Sequence, residues 1–174
     1  MFDTSTSNVG TMESGPNTYP AEVGAPTKPG LFSPEDTVMV NVKMKGRMIF
    51  EDSLGICRFM SRVSLGKVCE AVNAVTGWDY DVPEAMDMGR RVVHMLRVFN
   101  LRHGMDTSTE RPGPRYGSTP IDGPAMGKAI APHWDDMLKL YYEQMGWDAN
   151  GRPLPETLRQ IGLEGIIPDL EAVK

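Results

Sequence analysis

The segment that most clearly indicates the fold class begins at Asp81-Val82-Pro83-Glu84 and continues as AMDMGRRVVHMLRVFNLRHG to Gly104. Asp81 followed three residues later by Glu84 is typical of a capping box, and a proline suits the first helical turn. Apolar residues then recur at helical spacing, at Ala85, Met88, Val92, Met95, Leu96 and Phe99. The pattern predicts a helix of about 21 residues, the longest in the chain.

Further helices are predicted on both sides of this segment. Caps, apolar spacing and terminal glycines give the ranges 33–50, 64–77, 134–146 and 155–162. In the first range, Val38, Val40 and Val42 alternate as in a strand, but the cap Ser33-Pro34 favours a helix. Residues 105–132 are interpreted as one long loop. The predicted fold class is therefore all-α, an irregular helical domain with long loops.

The N-terminal segment has a different composition. Residues 1–30 hold 4 Gly, 4 Pro, 3 Ser and 5 Thr, and no apolar periodicity is visible there. Such a segment becomes ordered only when it lies against something else. We therefore divide the chain into an extended or loop segment, 1–32, and a helical domain, 33–174.

Composition limits the class of protein. With 174 residues, 24% of them charged and a net charge of −5, the chain has the length of one domain and no basic footprint for nucleic acid. Neither an apolar run of about 18 residues nor a secretory signal is visible, so we expect no membrane and a cytoplasmic location. Two cysteines do not make a disulfide framework.

The tripeptide Gly-Trp-Asp occurs twice, each time after a predicted helix. It begins at Gly77 and at Gly146. A glycine just past a helix can adopt the left-handed conformation, and the next apolar residue can fold back on the last turn. We therefore interpret both copies as helix stops.

The segment Asp52-Ser53-Leu54-Gly55-Ile56-Cys57 places a carboxylate, a glycine and a thiol within six residues. This combination suits a site where a polar ligand lies beside a metal cluster. The residues alone favour simpler roles, with Asp52 capping a turn and Cys57 as a buried thiol without metal. Cys69 lies on the apolar stripe of a predicted helix, and we expect it in the core.

Several segments, taken in order, resemble one family. Residues 52–57 resemble the second pterin-binding motif of tungsten-containing aldehyde ferredoxin oxidoreductases. The later matching segments are 76–79, Glu84, 89–91, 99–104, 111–115, 141–148, Gly151, Pro153 and 161–163. The resemblance covers the C-terminal part of the family pattern. Catalytic subunits of benzoyl-coenzyme A reductases share this architecture and fit about as well.

The resemblance implies a C-terminal all-α domain that contacts two cofactors. Asp52 would accept hydrogen bonds from a pterin of a tungsten–bispterin (molybdopterin-type) centre. Leu54, Gly55 and Ile56 would present backbone groups to it, with the Leu54 and Ile56 side chains facing the protein. Gly55 lacks a Cβ where the backbone must approach the cofactor closely or adopt positive φ. Cys57 would be the fourth thiolate of a [4Fe–4S] cluster. The whole enzyme would oxidise aldehydes to carboxylates and pass electrons to ferredoxin.

The same resemblance places the remaining parts of the site elsewhere. The family's other three cluster cysteines and its catalytic glutamate and histidine lie upstream, so no catalytic residue is assigned in this chain. The N-terminal and middle domains of the same enzyme, or a companion subunit, would supply them, and the isolated chain is expected to be inactive. Homo-oligomer formation, the substrate and the choice of tungsten or molybdenum stay open. The alternative is a non-catalytic helical interaction module that keeps the fold without a cofactor.

The basic side chains receive structural interpretations. Six arginines lie between residues 90 and 115, and we expect them to pair with acids such as Asp87 and Glu110 or with groups on other domains. The alternative is that they approach pterin phosphates or an acyl-coenzyme A substrate. His94, His103 and His133 have no companion at ligand spacing, so none is predicted to bind metal.

Overall fold

The chain is described here by a computed structural model over residues 1–13, 20–30, 32–57 and 64–172. Within these ranges the regular structure is helical and no strand forms, which confirms the all-α prediction; one isolated bridge joins Trp147 and Pro153. The helices are α1 (Phe2–Ser5), α2 (Pro34–Met44), α3 (Arg47–Ser53), α4 (Leu65–Thr76), α5 (Val82–Arg102), α6 (Pro114–Gly117), α7 (Trp134–Met145), α8 (Pro155–Gln160) and α9 (Ile167–Glu171). Short 3-10 turns lie at Pro20–Val23, Thr107–Thr109, Ala131–His133 and Glu164–Ile166.

The predicted caps are confirmed. Ser33 and Ser64 each accept a hydrogen bond at 3.1 Å from the backbone N–H of the third residue of the following helix. Asp81 Oδ1 accepts from the Glu84 N–H at 2.9 Å, and Glu84 Oε2 accepts from the Asp81 N–H at 3.0 Å. This reciprocal pair satisfies two backbone donors at the start of α5, which spans 21 residues.

The helix predicted over 33–50 is divided in two. Lys45 leaves the helical conformation and Gly46 has φ +102°, so the chain turns between α2 and α3. Gly46 lies against Gly89 of α5, and a Cβ built on Gly89 would overlap the Gly46 carbonyl oxygen. This glycine pair lets the start of α3 cross α5 at backbone contact. Because α3 then continues to Ser53, Asp52 lies in its last turn.

Both Gly-Trp-Asp copies end helices, as predicted, but by different motifs. Gly77 and Gly146 have φ +75° and +69°. After α7 the Trp147 N–H donates to the Tyr142 carbonyl at 2.9 Å, which is a Schellman arrangement, and Trp147 is buried. After α4 the glycine N–H bonds to the carbonyl four residues earlier at 2.9 Å, and Trp78 stays 57% exposed.

The core lies mainly between α2, α3, α5 and α7. One buried cluster joins Phe2, α2 and α7, and a second joins the end of α3 to α4 and the start of α5. The predicted apolar face of α5 is confirmed for Ala85, which is buried, and for Met88 and Val92, which pack against the core clusters. It is wrong further along the helix, because Met95 and Phe99 are exposed while Val93 and Arg97 are buried. Within the described ranges, no helix is long and apolar enough to cross a membrane.

The two segments interpreted as loops contain short helices. Residues 105–132 include α6 and a 3-10 turn at Thr107–Thr109. The N-terminal segment includes α1 and the turn at Pro20–Val23, while residues 14–19 lie outside the described ranges. Phe2 is buried against α7, so this segment is ordered by packing against the helical domain. The division at residue 32 stays a prediction.

Candidate cofactor-binding bend

The segment 52–57, called the bend below, leaves α3 in a tight turn. The Ser53 hydroxyl donates to the Ile49 carbonyl at 2.7 Å, which holds the last helical turn. The Gly55 N–H then donates to the Asp52 carbonyl at 3.0 Å. Gly55 has φ +68°, a conformation that disfavours residues with a Cβ. The sequence-based expectation that this glycine is needed for positive φ therefore agrees with the backbone.

The side chains of the bend face in different directions. Leu54 is half-buried against the second core cluster, as predicted, and anchors the bend to the helices. Ile56 is 40% exposed on this chain, so its side chain does not pack in the core described here, and the expectation that it faces the protein stays a prediction. Asp52 and Cys57 are exposed. The carboxylate and the thiol thus lie on the surface of this chain, where a cofactor or another domain can reach them.

The bend also leaves room beside its backbone. Apart from its chain neighbours, none of the described residues has a heavy atom within 4 Å of a Cβ built on Gly55. The groups that the bend can present to a cofactor are one thiol, one carboxylate, the carbonyls of Leu54 and Gly55, and the backbone of Ile56, since the Leu54 and Gly55 N–H groups already donate within the chain. These residues fit one corner of a cluster and one edge of a polar cofactor, but they do not complete a site. Among the described residues, no group of three or more His, Cys, Asp or Glu could hold a metal ion.

Cys69 has the structural role predicted for it. It is 3% exposed in the second core cluster, and its Sγ lies 3.5 Å from the Asp81 carbonyl oxygen. Burial raises the pKa of the Cys69 thiol, which keeps it protonated and weakens it as a metal ligand. Of the two cysteines, Cys57 is therefore the candidate ligand.

A buried ion pair connects α5 to the segment that follows it. The Arg97 guanidinium donates to the two carboxylate oxygens of Glu110 at 2.8 and 2.9 Å, and its Nε donates to the Gly151 carbonyl at 2.8 Å. The Tyr142 hydroxyl donates to the same carboxylate, and the guanidinium lies 4.4 Å from the centre of the Trp147 ring. The expectation that arginines of this region pair with acids such as Glu110 is confirmed for Arg97, and the network ties the segment after α5 to α7.

Burial and hydrogen bonding change the pKa values of this network. Burial by itself lowers the pKa of Arg97, but its hydrogen bonds and the charge of Glu110 raise it above the usual value. Burial, together with the hydrogen bond to Glu110, raises the pKa of Tyr142. The Arg97 guanidinium therefore stays charged and the Tyr142 phenol stays neutral across the physiological pH range.

A second buried cation fixes the N-terminal segment. Lys45 Nζ lies 2.8 Å from Glu13 Oε2 and 3.2 Å from Asp3 Oδ1, and it is fully buried. Burial by itself lowers the pKa of Lys45, but the neighbouring Tyr141, Glu13 and Asp3 raise it overall. No local pattern indicates this contact, since about 40 residues separate Lys45 from Asp3.

The remaining predicted pairs are on the surface. Arg90 lies 4.0 Å from Asp87, which confirms that expectation. Two further exposed pairs are Arg102–Asp169 and Arg111–Asp135, each at 2.6 Å. None of these arginines lies on the bend. Their described contacts are with acidic side chains of the same chain, which indicates a structural role.

The fold and the bend agree with one enzyme family. The family model described as aldehyde ferredoxin oxidoreductase, domains 2 and 3, matches residues 2–163. The chain therefore belongs to the aldehyde ferredoxin oxidoreductase family. The match begins at residue 2 and therefore covers the N-terminal segment as well. The motifs that carry the sequence resemblance begin only at residue 52.

Individual relatives are archaeal. The chain is 30% identical over 154 residues to a tungsten-containing aldehyde ferredoxin oxidoreductase of Pyrococcus horikoshii, covering 83% of this chain and 24% of that protein. It is 31% identical over 157 residues to the Pyrococcus abyssi protein of the same name, covering 85% and 25%. An aliphatic sulfonate oxidoreductase, WOR-like subunit, of Pyrococcus furiosus is 30% identical over 135 residues, covering 72% and 21%. The chain thus spans about a quarter of the length of these relatives.

Proposed function

We propose that this chain is the C-terminal part of a tungsten–bispterin, [4Fe–4S]-dependent enzyme that oxidises aldehydes to carboxylates, with ferredoxin as electron acceptor. The upstream N-terminal and middle domains, or a companion subunit, supply the other cluster cysteines and the catalytic groups. The observation that carries the proposal is the bend, where Asp52 and Cys57 are both exposed on one short turn anchored to α3.

Each residue of the bend has a proposed role. The Cys57 thiolate is the cluster ligand, and the Asp52 carboxylate accepts hydrogen bonds from the amide and amino edge of a pterin. The carbonyls of Leu54 and Gly55 and the backbone of Ile56 contact the pterin in this proposal, since the Leu54 and Gly55 N–H groups already donate within the chain. The Leu54 side chain anchors the turn. When bound, the tungsten centre supplies the two-electron chemistry and the cluster supplies electron transfer. The part played by this chain is to bind and orient both groups through one rigid turn.

Two kinds of observation support the proposal: the geometry of the bend and the match to the family. Gly55 leaves the backbone open to an approaching cofactor, and Cys57 is accessible where Cys69 is not. The exposed Ile56 side chain is accounted for if an upstream domain covers it, since the relatives are about four times longer than this chain. Alone, the chain has one candidate thiolate and is expected to be inactive.

The test is co-expression of this chain with the upstream portion of its enzyme. Iron, tungsten and visible absorption are measured on the purified complex. Cys57→Ser is expected to lower the iron content and bleach the cluster absorption, because one of four thiolates is removed. Asp52→Asn is expected to lower the tungsten and pterin content while iron is retained, because an amide offers one acceptor oxygen instead of two.

Cys69→Ser provides the matched control. It removes the other thiol of the chain at a site where no ligand role is proposed, so iron per folded complex should match the parent. Equal iron in the parent complex and in the Cys57→Ser complex would refute the cluster assignment. A complex that forms without iron or pterin would favour the non-catalytic interaction module.

A further inference from the structure

A half-open cavity of about 620 Å³ lies between the start of α2, the segment before α7, and α7 itself. Its lining includes Phe32, Thr37, Thr119, Lys128, Ile130 and Met137. This volume is within the range of about 300–1,000 Å³ that is typical of small-molecule sites. The cavity shares no lining residue with the bend, so an inference about it does not depend on the proposed function.

Part of the cavity lining is apolar. Phe32, Ile130 and Met137 contribute carbon surface, and the Ile130 and Met137 side chains are continuous with the first core cluster. A ligand with an aromatic or aliphatic body would therefore bury apolar surface here, which favours binding by about 25 cal/mol per Å² removed from water.

Lys128 is the lining residue with a fixed positive charge. Its Nζ lies 4.0 Å from the centre of the Phe32 ring and forms no ion pair with any residue in the described ranges. None of the described residues that line the cavity is acidic, although the chain as a whole has a net charge of −5. Glu35 and Asp136 line an adjoining hollow of about 450 Å³, which shares Ser33, Pro34, His133 and Met137 with the cavity. A cation beside an apolar wall selects for an anion attached to an apolar body.

We propose that this cavity is a binding site for a small carboxylic acid with an aromatic or short aliphatic body. The carboxylate pairs with the Lys128 ammonium at the mouth, and the hydrocarbon body lies against Ile130 and Met137. The Phe32 ring holds the ammonium in place before the ligand arrives, through a cation–π contact.

The test uses the full chain and three probes that separate charge from apolar body. Benzoate carries both, benzyl alcohol carries the ring without the charge, and acetate carries the charge without the ring. Binding is followed by the shifts of the Ile130 and Met137 methyl resonances during titration. Benzoate should saturate these shifts at lower concentration than either other probe.

Substitution then separates this site from general surface attraction. Lys128→Met should raise the benzoate Kd about fivefold, the value expected for one partly exposed ion pair, and leave the weak benzyl alcohol binding unchanged. Lys128→Gln should behave in the same way. The control is Lys139→Met, which removes an exposed lysine of α7 that does not line the cavity, and it should leave the benzoate Kd unchanged. Absence of saturable benzoate binding, or equal effects of the Lys128 and Lys139 substitutions, would overturn the proposal.

Discussion

At the scale of single residues, Arg97 carries a charge where water cannot reach it. It is fully buried, and Glu110 neutralises it through two hydrogen bonds. Arg97→Met should lower the free energy of unfolding by about 3–5 kcal/mol, because it leaves a buried carboxylate without its partner. Adding Glu110→Gln should recover part of this loss, since the second buried charge is then removed as well. Urea denaturation of the single and double variants measures both effects.

The control for Arg97 is an exposed pair. Arg102→Met breaks the pair with Asp169, in which both side chains are about half exposed, and should cost less than about 1 kcal/mol. If the two arginine substitutions had equal costs, the buried pair would not contribute as the geometry requires.

His94 should make stability depend on pH near neutrality. Its ring nitrogens lie 2.9 Å from the Arg90 carbonyl oxygen and 3.2 Å from that of Met145, and burial lowers its pKa below the usual 6.5. The unfolded chain therefore takes up a proton first as the pH falls, so stability is lost below pH 6.5, by at most about 1.4 kcal/mol per pH unit. His94→Gln should reduce the difference in unfolding free energy between about pH 7.5 and 5.5.

The exposed His103 gives the comparison for this pH effect. His103→Gln should keep the pH dependence of the parent chain, because its ring lies on the surface. A parent-like pH profile in the His94 variant would assign the effect to other groups.

Whether the environment of a residue could be predicted depends on how far along the chain its contact partners lie. The Gly55 conformation and the Asp81–Glu84 box depend on neighbours within three residues, so local pattern was sufficient. Arg97 and His94 are buried by partners on other elements, and a pattern that expects apolar residues inside therefore places Met95 and Phe99 on the wrong face of α5. The exposure of Ile56 could not be read from the local pattern either, because it depends on which parts of the fold lie against the side chain.

At the scale of elements, the crossing of α3 and α5 depends on two glycines. A Cβ on Gly89 would overlap the Gly46 carbonyl oxygen, and Gly46 itself has positive φ. Gly89→Ala should cost about 3 kcal/mol or more, because backbone atoms must move to relieve the overlap. Thermal and urea unfolding of the purified variant measure the loss.

The matched control is a glycine in another helix. Gly66 lies in the first turn of α4, and a Cβ built there meets nothing closer than 3.7 Å. Gly66→Ala should therefore be neutral or stabilising by up to about 1 kcal/mol, in accordance with helix propensity. Destabilisation of similar size at both positions would mean that close approach is not the reason for Gly89.

Helix positions were predicted better than helix contacts. The bounds of α4, α5, α7 and α8 agree with the sequence patterns to within about two residues, because caps and stop glycines are local signals. The division at Gly46 was missed because a single glycine inside an apolar pattern does not state which neighbour it approaches. Short helices such as α1 and α6 have no apolar period long enough to be recognised.

At the scale of the whole molecule, the N-terminal segment packs against the helical domain and is held there by ion pairs and a hydrogen bond. Asp3 and Glu13 pair with Lys45 of the α2–α3 junction, and the Asn100 side chain donates to the Asn8 carbonyl at 2.8 Å. These contacts join parts of the chain up to about 90 residues apart, and such pairs cannot be read from one sequence without knowing the fold. The family match from residue 2 is consistent with an N-terminal segment that belongs to this domain.

The packing of Phe2 allows the contribution of the N-terminal segment to the free energy of unfolding to be measured. Its ring lies 5.3 Å from the Trp134 ring and 5.6 Å from the Tyr141 ring, and it is 2% exposed. Phe2→Ala should lower the free energy of unfolding by about 3 kcal/mol, because it leaves a cavity among aromatic rings, and should increase cleavage of residues 1–13 by added protease. Phe99→Ala, at a 57% exposed position on α5, should cost less than about 0.5 kcal/mol and leave that cleavage unchanged. If the Phe2 variant were as stable and as resistant as the Phe99 variant, the N-terminal segment would be an attachment to the fold and not part of its core.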